Sequence, residues 1–257
     1  MSKMASVNPY QNHPIRRYSY AWQQLSERGG KHLDFGCNVG DFLSVLQETT
    51  ALDCYGIDAH QGYLQQLSKR HPNLKVQYMR SGEHRTQFVD RFFDSVSILD
   101  TLEHVVNERE SLEEIHRIMK PRGILVITVP RKCLFSFMDP DNAKYRFPRI
   151  HKWVYQLRYD KILYRERFVD FSDGLRGDIA VEKNEHTNYE QEQLVSLLQS
   201  CGFDVLDISG ANLFWRFFQV PGLLLPNDWL RSLTDKFIYW DGLWFRQANL
   251  FITVAKQ

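Results

Sequence analysis

The stretch K-H-L-D-F-G-C-N-V-G-D-F, Lys31 to Phe42, constrains the fold more than any other part of the chain. Leu33 and Phe35 form a short apolar run that ends at Gly36. Gly40 follows four residues later, and Phe42, Leu43, Val45 and Leu46 then recur at helical spacing. That order predicts a strand, a tight loop and a helix. Such a loop needs residues that tolerate positive φ or let a ligand lie against the main chain, and Gly36, Asn38 and Gly40 are of that type. Asp34, at the strand end, then sits beside whatever the loop cradles. The plainer alternative is an ordinary strand-to-helix turn held by two structural glycines, and the loop alone does not separate the two.

The alternation continues down the chain. Ile15 to Arg28 carries Tyr18, Ala21, Trp22 and Leu25 at three- and four-residue steps, which predicts an amphipathic helix closed by Gly29 and Gly30. Leu52 to Asp58 reads as a second strand, followed by a helix with Tyr63, Leu64 and Leu67 on one side. Strand, helix, strand, helix is a βαβ unit. Leu74 to Met79 and Phe92 to Leu99 are the third and fourth strands. Asn107 and Glu110 make a capping pair for a helix carrying Leu112, Ile115, Ile118 and Met119, stopped by Pro121 and Gly123. Ile124 to Val129 is apolar at every position except Thr128, as a strand covered on both faces should be. The centre of the sheet is therefore parallel.

The pattern breaks at Pro130. Residues 131–186 show no clean period and are too long for a plain connection, so they read as an inserted lid. The core resumes with Thr187 and Glu190 as a capping box ahead of Leu194, Leu197 and Leu198, then a strand from Phe203 to Ile208 and a last one from Asn249 to Ala255. A second insertion, 211–246, holds four of the six tryptophans. At 257 residues, one domain with insertions is expected: a core of 31–130, 187–209 and 249–257, the helix at 15–28 and the two insertions. The 32 Lys and Arg nearly balance the 31 Asp and Glu, so no global field argues for DNA. Four scattered cysteines without a C-x-x-C pair argue against a zinc site or a disulfide framework, so no metal is expected and reduced cytoplasm is the expected compartment. Nothing reads as a signal peptide or a transmembrane segment.

In an open parallel sheet a ligand sits outside the carboxyl ends of the strands, where the strand order reverses. Asp34, Asp58, the loop Ser81–Gly82–Glu83 and Asp100 each lie at or just after the end of a successive strand. An acid some twenty residues beyond a glycine-rich first turn is placed to bond ribose hydroxyls, and Asp58 is that acid. Asp58 alone also reads as a solvated loop carboxylate; four strand ends together are harder to read that way. A dinucleotide would set its pyrophosphate on G-x-G-x-x-G. This loop reads G-C-N-V-G-D and puts Asp41 where phosphate charge would go.

Taken in order, L-D-F-G-C-N-V-G, Y-G-I-D, F-F-D-S-V-S-I-L-D-T-L-E-H-V, I-M-K-P-R-G-I-L-V-I-T-V-P and H-T-N-Y-E-Q-E-Q-L-V-S-L-L-Q-S-C-G-F-D-V resemble the class I S-adenosylmethionine-dependent methyltransferases, over roughly residues 31–130 and 187–209. The resemblance implies a Rossmann-like α/β fold: a mostly parallel sheet, helices on both faces, an antiparallel C-terminal strand and a lid inserted after the fifth strand. It implies S-adenosyl-L-methionine as cofactor, its methionine part held by the loop Asp34, Gly36, Asn38, Gly40 and its ribose by Asp58. Gly82 and Glu83 would lie near adenine, and the Leu99 and Asp100 backbone near the amino group. Asn38 replaces the glycine usual in this motif, and Ser81 stands where many relatives carry an acid.

For a hydroxyl acceptor a base helps, and His104 in L-E-H-V, just beyond the fourth strand, is the candidate; a turn-capping histidine is the plainer alternative. Residues 131–167 hold ten Lys or Arg, four Asp or Glu and eight aromatics, a mixture suited to an anionic small-molecule acceptor such as a phosphorylated metabolite or nucleotide-linked sugar, while the family resemblance implies an acceptor among sugars, lipid precursors and other metabolites. Single-stranded RNA would use the same groups. The aromatic-rich 211–246 region suits a pocket wall, a homodimer contact or a membrane-contact face. Two rival functions remain at this level: a non-catalytic protein of the same fold that binds cofactor or a partner, and a nicotinamide-dependent oxidoreductase.

Overall fold

The computed structural model describes residues 7–13, 16–80, 83–134, 136, 147–156, 187–215, 217 and 228–257. Its described elements are α1 (Arg16–Leu25), β1 (Gly29–Phe35), α2 (Asp41–Thr49), β2 (Ala51–Asp58), α3 (Gln61–Arg70), β3 (Lys75–Tyr78), β4 (Phe93–Leu99), α4 (Glu108–Ile118), β5 (Met119–Pro130), α5 (Pro148–Gln156), α6 (Gln191–Ser200), β6 (Phe203–Ala211), α7 (Asp228–Trp244) and β7 (Asn249–Lys256). The strands form one seven-stranded sheet in the order β3-β2-β1-β4-β5-β7-β6. β1, β2, β3, β4 and β5 pair in parallel, and β7 runs antiparallel between β5 and β6. This is the mostly parallel Rossmann-like sheet with an antiparallel C-terminal strand.

Two-residue alternation in the strands splits the core into two layers. Leu33 and Phe35 of β1 face the layer that also buries Val96 and Ile98, Leu125 and Ile127, and the apolar sides of α4 (Leu112, Ile115) and α6 (Leu194, Leu198). The opposite layer takes Trp22 and Leu25 of α1, Leu43 and Leu46 of α2, and Leu64 and Leu67 of α3 against Val126 and Phe251. Each such fully buried side chain contributes about 1.5 to 3 kcal/mol. His32 and Asp34, between the apolar residues of β1, project into the second layer, where polar groups are costly unless bonded.

Three boundaries differ from the sequence pattern. Gly29 and Gly30 open β1 instead of closing α1. The helix ends at Leu25, and Gly30, at φ +92°, turns the chain so that the Lys31 amide donates to Asp94 Oδ2 at 2.8 Å. β5 starts at Met119, before Pro121 and Gly123, because Met119 already pairs with Phe93 and a bulge absorbs the residues before Ile124. Thr187 does not cap α6. The segment before that helix is drawn onto the end of β5, with the Tyr189 amide donating to Pro130 O and the Lys132 amide to Tyr189 O, so the cap falls at Glu190, whose carboxylate accepts from Lys132 Nζ. Asn107 does cap α4, accepting from the Glu110 amide.

Of the lid, α5 is described, with Trp153 exposed on it; Phe135, Phe137, Tyr145, Tyr159, Tyr164 and most of its basic residues lie outside the described residues. In the second insertion, α7 is anchored by Asp241, one of the charges that interrupt this aromatic-rich stretch. It is buried and accepts from the Leu213 and Phe214 amides and from Asn212 Nδ2. The far side of α7 leaves Phe237, Trp240 and Trp244 exposed.

Candidate cofactor site

The chain runs β1 to β2 to β3 toward one edge of the sheet, then crosses back to place β4 on the other side of β1. The order therefore reverses between β1 and β4. A cleft opens beyond the strand ends there, lined by Phe35 and Gly36 after β1, Asp58 at the end of β2, Met79, Arg80, Glu83 and His84 after β3, and Thr101, His104 and Val105 after β4. This is where an α/β sheet of this topology binds its ligand.

The glycine loop is shaped by backbone that few residues adopt. Gly36 and Gly40 have φ +84° and +81°, and a Cβ would overlap the Thr101 side chain at the first and Leu67 at the second. Asn38 takes φ 50°, which Asn tolerates better than most, so the exchange for glycine at that position leaves the loop intact. The Gly36 and Cys37 amides both donate to Ile57 O, at 2.8 and 3.0 Å, and tie the loop to the end of β2.

Asp58 completes the tie. Only 3 % exposed, it accepts from the Asn38 amide on Oδ2 at 2.7 Å and from the His60 amide on Oδ1 at 2.8 Å. Burial raises its pKa above the ordinary carboxylate value, and these backbone bonds oppose the rise. A carboxylate offers about four lone-pair directions, so the group keeps acceptor capacity beyond these backbone bonds. Asp34 lies just beneath the loop, 4 % exposed, and accepts from Ser97 Oγ at 2.6 Å. Burial pushes its pKa up to about 7, with the Ser97 bond opposing and the charge of Asp58 adding. The two acids thus converge on one loop.

After β4, Asp100 turns the chain at φ 49°. Its Oδ1 accepts from Thr128 Oγ1 at 2.7 Å, and its Oδ2 pairs with Arg17 of α1. Burial works against the Arg17 charge, yet Asp100 carries its pKa above the ordinary arginine value. In front of this pair the N-terminal segment covers the start of α2: Tyr10 donates to Asp41 O at 3.1 Å, and Tyr18 stacks on Phe42 with centroids 5.6 Å apart.

Of the residues singled out from the sequence, Gly36, Asp58, Glu83 and His104 line the cleft, and Asn38 and Asp34 support it from beneath. Gly40 caps α2, Leu99 is half-buried at the end of β4, and Asp100 faces Arg17 rather than the cleft lining. Gly82, with Ser81, lies outside the described residues. Glu83 turns its carboxylate back to the Arg80 amide at 3.1 Å. Arg17, Thr101 and His84 were not legible as site residues: Arg17 meets Asp100 across 83 positions, and no local pattern signals such a contact. Among the described residues no cluster of His, Cys, Asp and Glu is placed to hold a metal.

A sheet of this order, with a glycine loop, an acid after β2 and a cleft at the β1–β4 switch point, defines a Rossmann-like domain that binds a nucleoside cofactor. The family model described as a methyltransferase domain matches residues 10–208, and the chain belongs to that family. It is 27% identical over 138 residues to the mitochondrial ubiquinone biosynthesis O-methyltransferase of Dictyostelium discoideum, covering 47% of this chain and 43% of that protein. It is 26% identical over 220 residues to the ubiquinone biosynthesis O-methyltransferase of Rickettsia bellii, 82% of each. The chain thus spans less than half the length of the first of these relatives. A solved S-adenosylmethionine-dependent methyltransferase from Aquifex aeolicus shares the fold at a TM-score of 0.54 and 13% identity, covering 97% of this chain and 94% of that one.

Proposed function

We propose that this protein transfers a methyl group from S-adenosyl-L-methionine to a small-molecule acceptor, at a hydroxyl. The observation that carries the reading is the convergence of the glycine loop, Asp58 and the segment after β4 on one cleft. The residues fit this cofactor. Asp58 holds the loop through Asn38 and retains lone pairs for ribose hydroxyls, Glu83 and His84 border the place for adenine, and Asp34 puts negative charge near the methionine end, where Asp100, its carboxylate held by Arg17, offers its backbone. Asp41, at the first position of α2, disfavours a dinucleotide pyrophosphate there.

Bound S-adenosyl-L-methionine supplies an activated methyl whose leaving group departs neutral, so the protein's main task is to align the nucleophile. His104, in the short helical turn Leu102–His104 on the cleft wall, is the base that takes the acceptor hydroxyl proton. Relatives named as ubiquinone biosynthesis O-methyltransferases and as ubiquinone/menaquinone biosynthesis C-methyltransferases support a quinone precursor over a sugar, and the choice of a hydroxyl rests on His104 as base. The chain works as one domain, and the basic residues of the 131–186 insertion favour an anionic acceptor. Among the described residues no helix is long and apolar enough to cross a membrane.

The test is transfer of radiolabelled methyl from S-adenosyl-L-methionine to a panel of catechols, hydroxybenzoates, sugars and short RNAs. Label on a hydroxyl of a ring compound is the expected result. Label on RNA would overturn the small-molecule reading, and cofactor binding without transfer to any acceptor would favour a non-catalytic role.

A further inference from the structure

His32 sits in β1, fully buried, and its ring bridges two serines of β4. Nδ1 lies 2.9 Å from Ser95 Oγ, and Nε2 lies 3.0 Å from Ser97 Oγ. The parallel register places His32 opposite Ser95 and Asp34 opposite Ser97, and the two-residue period of the strands puts all four side chains on one face. They stand at the β1–β4 switch point, immediately under the glycine loop.

The direction of each bond follows from proton counting. With Asp34 ionised, Ser97 Oγ donates to Asp34 Oδ1 at 2.6 Å, and a hydroxyl has one proton to give. Ser97 must therefore accept from His32, so Nε2 carries the ring proton and Nδ1 accepts from Ser95. The result is a directed chain, Ser95 to His32 to Ser97 to Asp34, in which both ring nitrogens and the Ser97 proton are committed. Ser97 cannot rotate away from Asp34 without leaving a buried imidazole N–H unpaired. The second oxygen of Asp34 makes no hydrogen bond to any described residue, and so stays available.

We propose that His32 is a positioning residue for cofactor binding, holding Asp34 through Ser97 so that its second carboxylate oxygen is presented to the cationic methionine end of the adenosyl cofactor. The inference rests on the cleft reading given above. Burial lowers the His32 pKa to about 3, so the ring stays neutral and keeps its single proton. The Ser97 bond works against the burial that raises Asp34, and thereby favours its charged form. Losing the relay removes both the orientation and part of the charge.

The experiment compares full-length wild type with His32→Leu, His32→Gln and Ser97→Ala, measuring S-adenosylmethionine affinity by calorimetry and melting temperature by thermal shift. Glutamine can donate from its amide nitrogen to Ser97 and accept from Ser95 on its oxygen, so it restores the relay; leucine cannot. His32→Leu and Ser97→Ala are expected to weaken binding about tenfold or more, the scale of a hydrogen bond to a charged group. His32→Gln is expected to bind within about threefold of wild type, while the melting temperatures of the two His32 variants need not differ. Two-bond ¹H–¹⁵N NMR of the wild-type ring at alkaline pH, above the Asp34 pKa of about 7, should show the Nε2–H tautomer. Wild-type affinity in His32→Leu or Ser97→Ala, equal losses in the leucine and glutamine variants, or an Nδ1–H tautomer would each overturn the proposal. If His32→Leu does not fold, Ser97→Ala decides, because it breaks the relay with the ring in place. Wild type that binds no S-adenosylmethionine would overturn the cleft reading, and is told apart because the tautomer measurement needs no cofactor.

Discussion

Replacing Asp34 with asparagine separates what this acid costs the fold from what it gives the site. Its carboxyl pKa is lifted from 3.8 to about 7, by burial first, with the Ser97 bond opposing and the charge of Asp58 adding. A folded-state pKa above the unfolded value means that the folded chain holds the proton more tightly. The stability this confers is fully present below the unfolded pKa and is lost as pH rises through about 7. A gap of about three units, at roughly 1.4 kcal/mol each, sets a ceiling near 4 kcal/mol on the loss at alkaline pH. Asparagine has the same shape and no charge to desolvate, and its Oδ1 still accepts from Ser97. Asp34→Asn should therefore match wild type in urea denaturation near about pH 4 and exceed it by up to about 4 kcal/mol at about pH 8. The raised Asp58 adds a pH dependence of the same sign to both proteins, and the difference reads Asp34 together with its coupling to Asp58. The same variant should bind S-adenosylmethionine about 10-fold or more weakly, because a neutral amide replaces the carboxylate facing a cation. A stability difference that does not change with pH, or one that favours wild type at alkaline pH, would refute the burial argument.

Gly40→Ala should destabilise the fold by about 2 to 5 kcal/mol, combining left-handed strain at φ +81° with the overlap of the new Cβ and Leu67, and urea denaturation reads the cost. Asp241→Ala leaves the Leu213 and Phe214 amides without their acceptor, so hydrogen exchange should show α7 opening at a free energy lower by about 1 to 3 kcal/mol, with β1 and β4 unchanged. His104→Gln should keep cofactor affinity while lowering kcat by about 100-fold or more if the histidine is the base, and the pH–rate profile should lose its acidic limb. An unchanged kcat would return His104 to a turn-capping role.

Most of the sheet was legible because its strands are short apolar runs bounded by Gly, Asp and Pro, and because Gly36, Asn38 and Gly40 must take positive φ, which only a few residue types do well. The placement of Asp58 was legible for the same reason, since the length of the α2 crossover fixes its distance from the loop. What the pattern could not show were contacts made by register and tertiary packing. His32 and Ser95 look like unremarkable polar residues in half-apolar strands until the β1–β4 pairing sets them opposite one another. Arg17 lies on a helix whose periodicity predicts its buried side but not the acid it reaches. Thr187 and Glu190 spell a capping box, yet pairing with the end of β5 outweighs the cap and moves the helix start past it. Asp241 reads as an interruption of an aromatic segment and is instead the anchor of its helix.

In the proposed site, loops from four strand ends serve a single adenosyl group. Calorimetric titration of S-adenosylmethionine and of NAD into wild type and Asp58→Ala tests this most directly. One S-adenosylmethionine per chain, with affinity lowered in the variant by about 1 to 3 kcal/mol and no saturable heat from NAD, is the predicted result. Saturable NAD binding in place of S-adenosylmethionine, or equal S-adenosylmethionine affinity in both proteins, would contradict it.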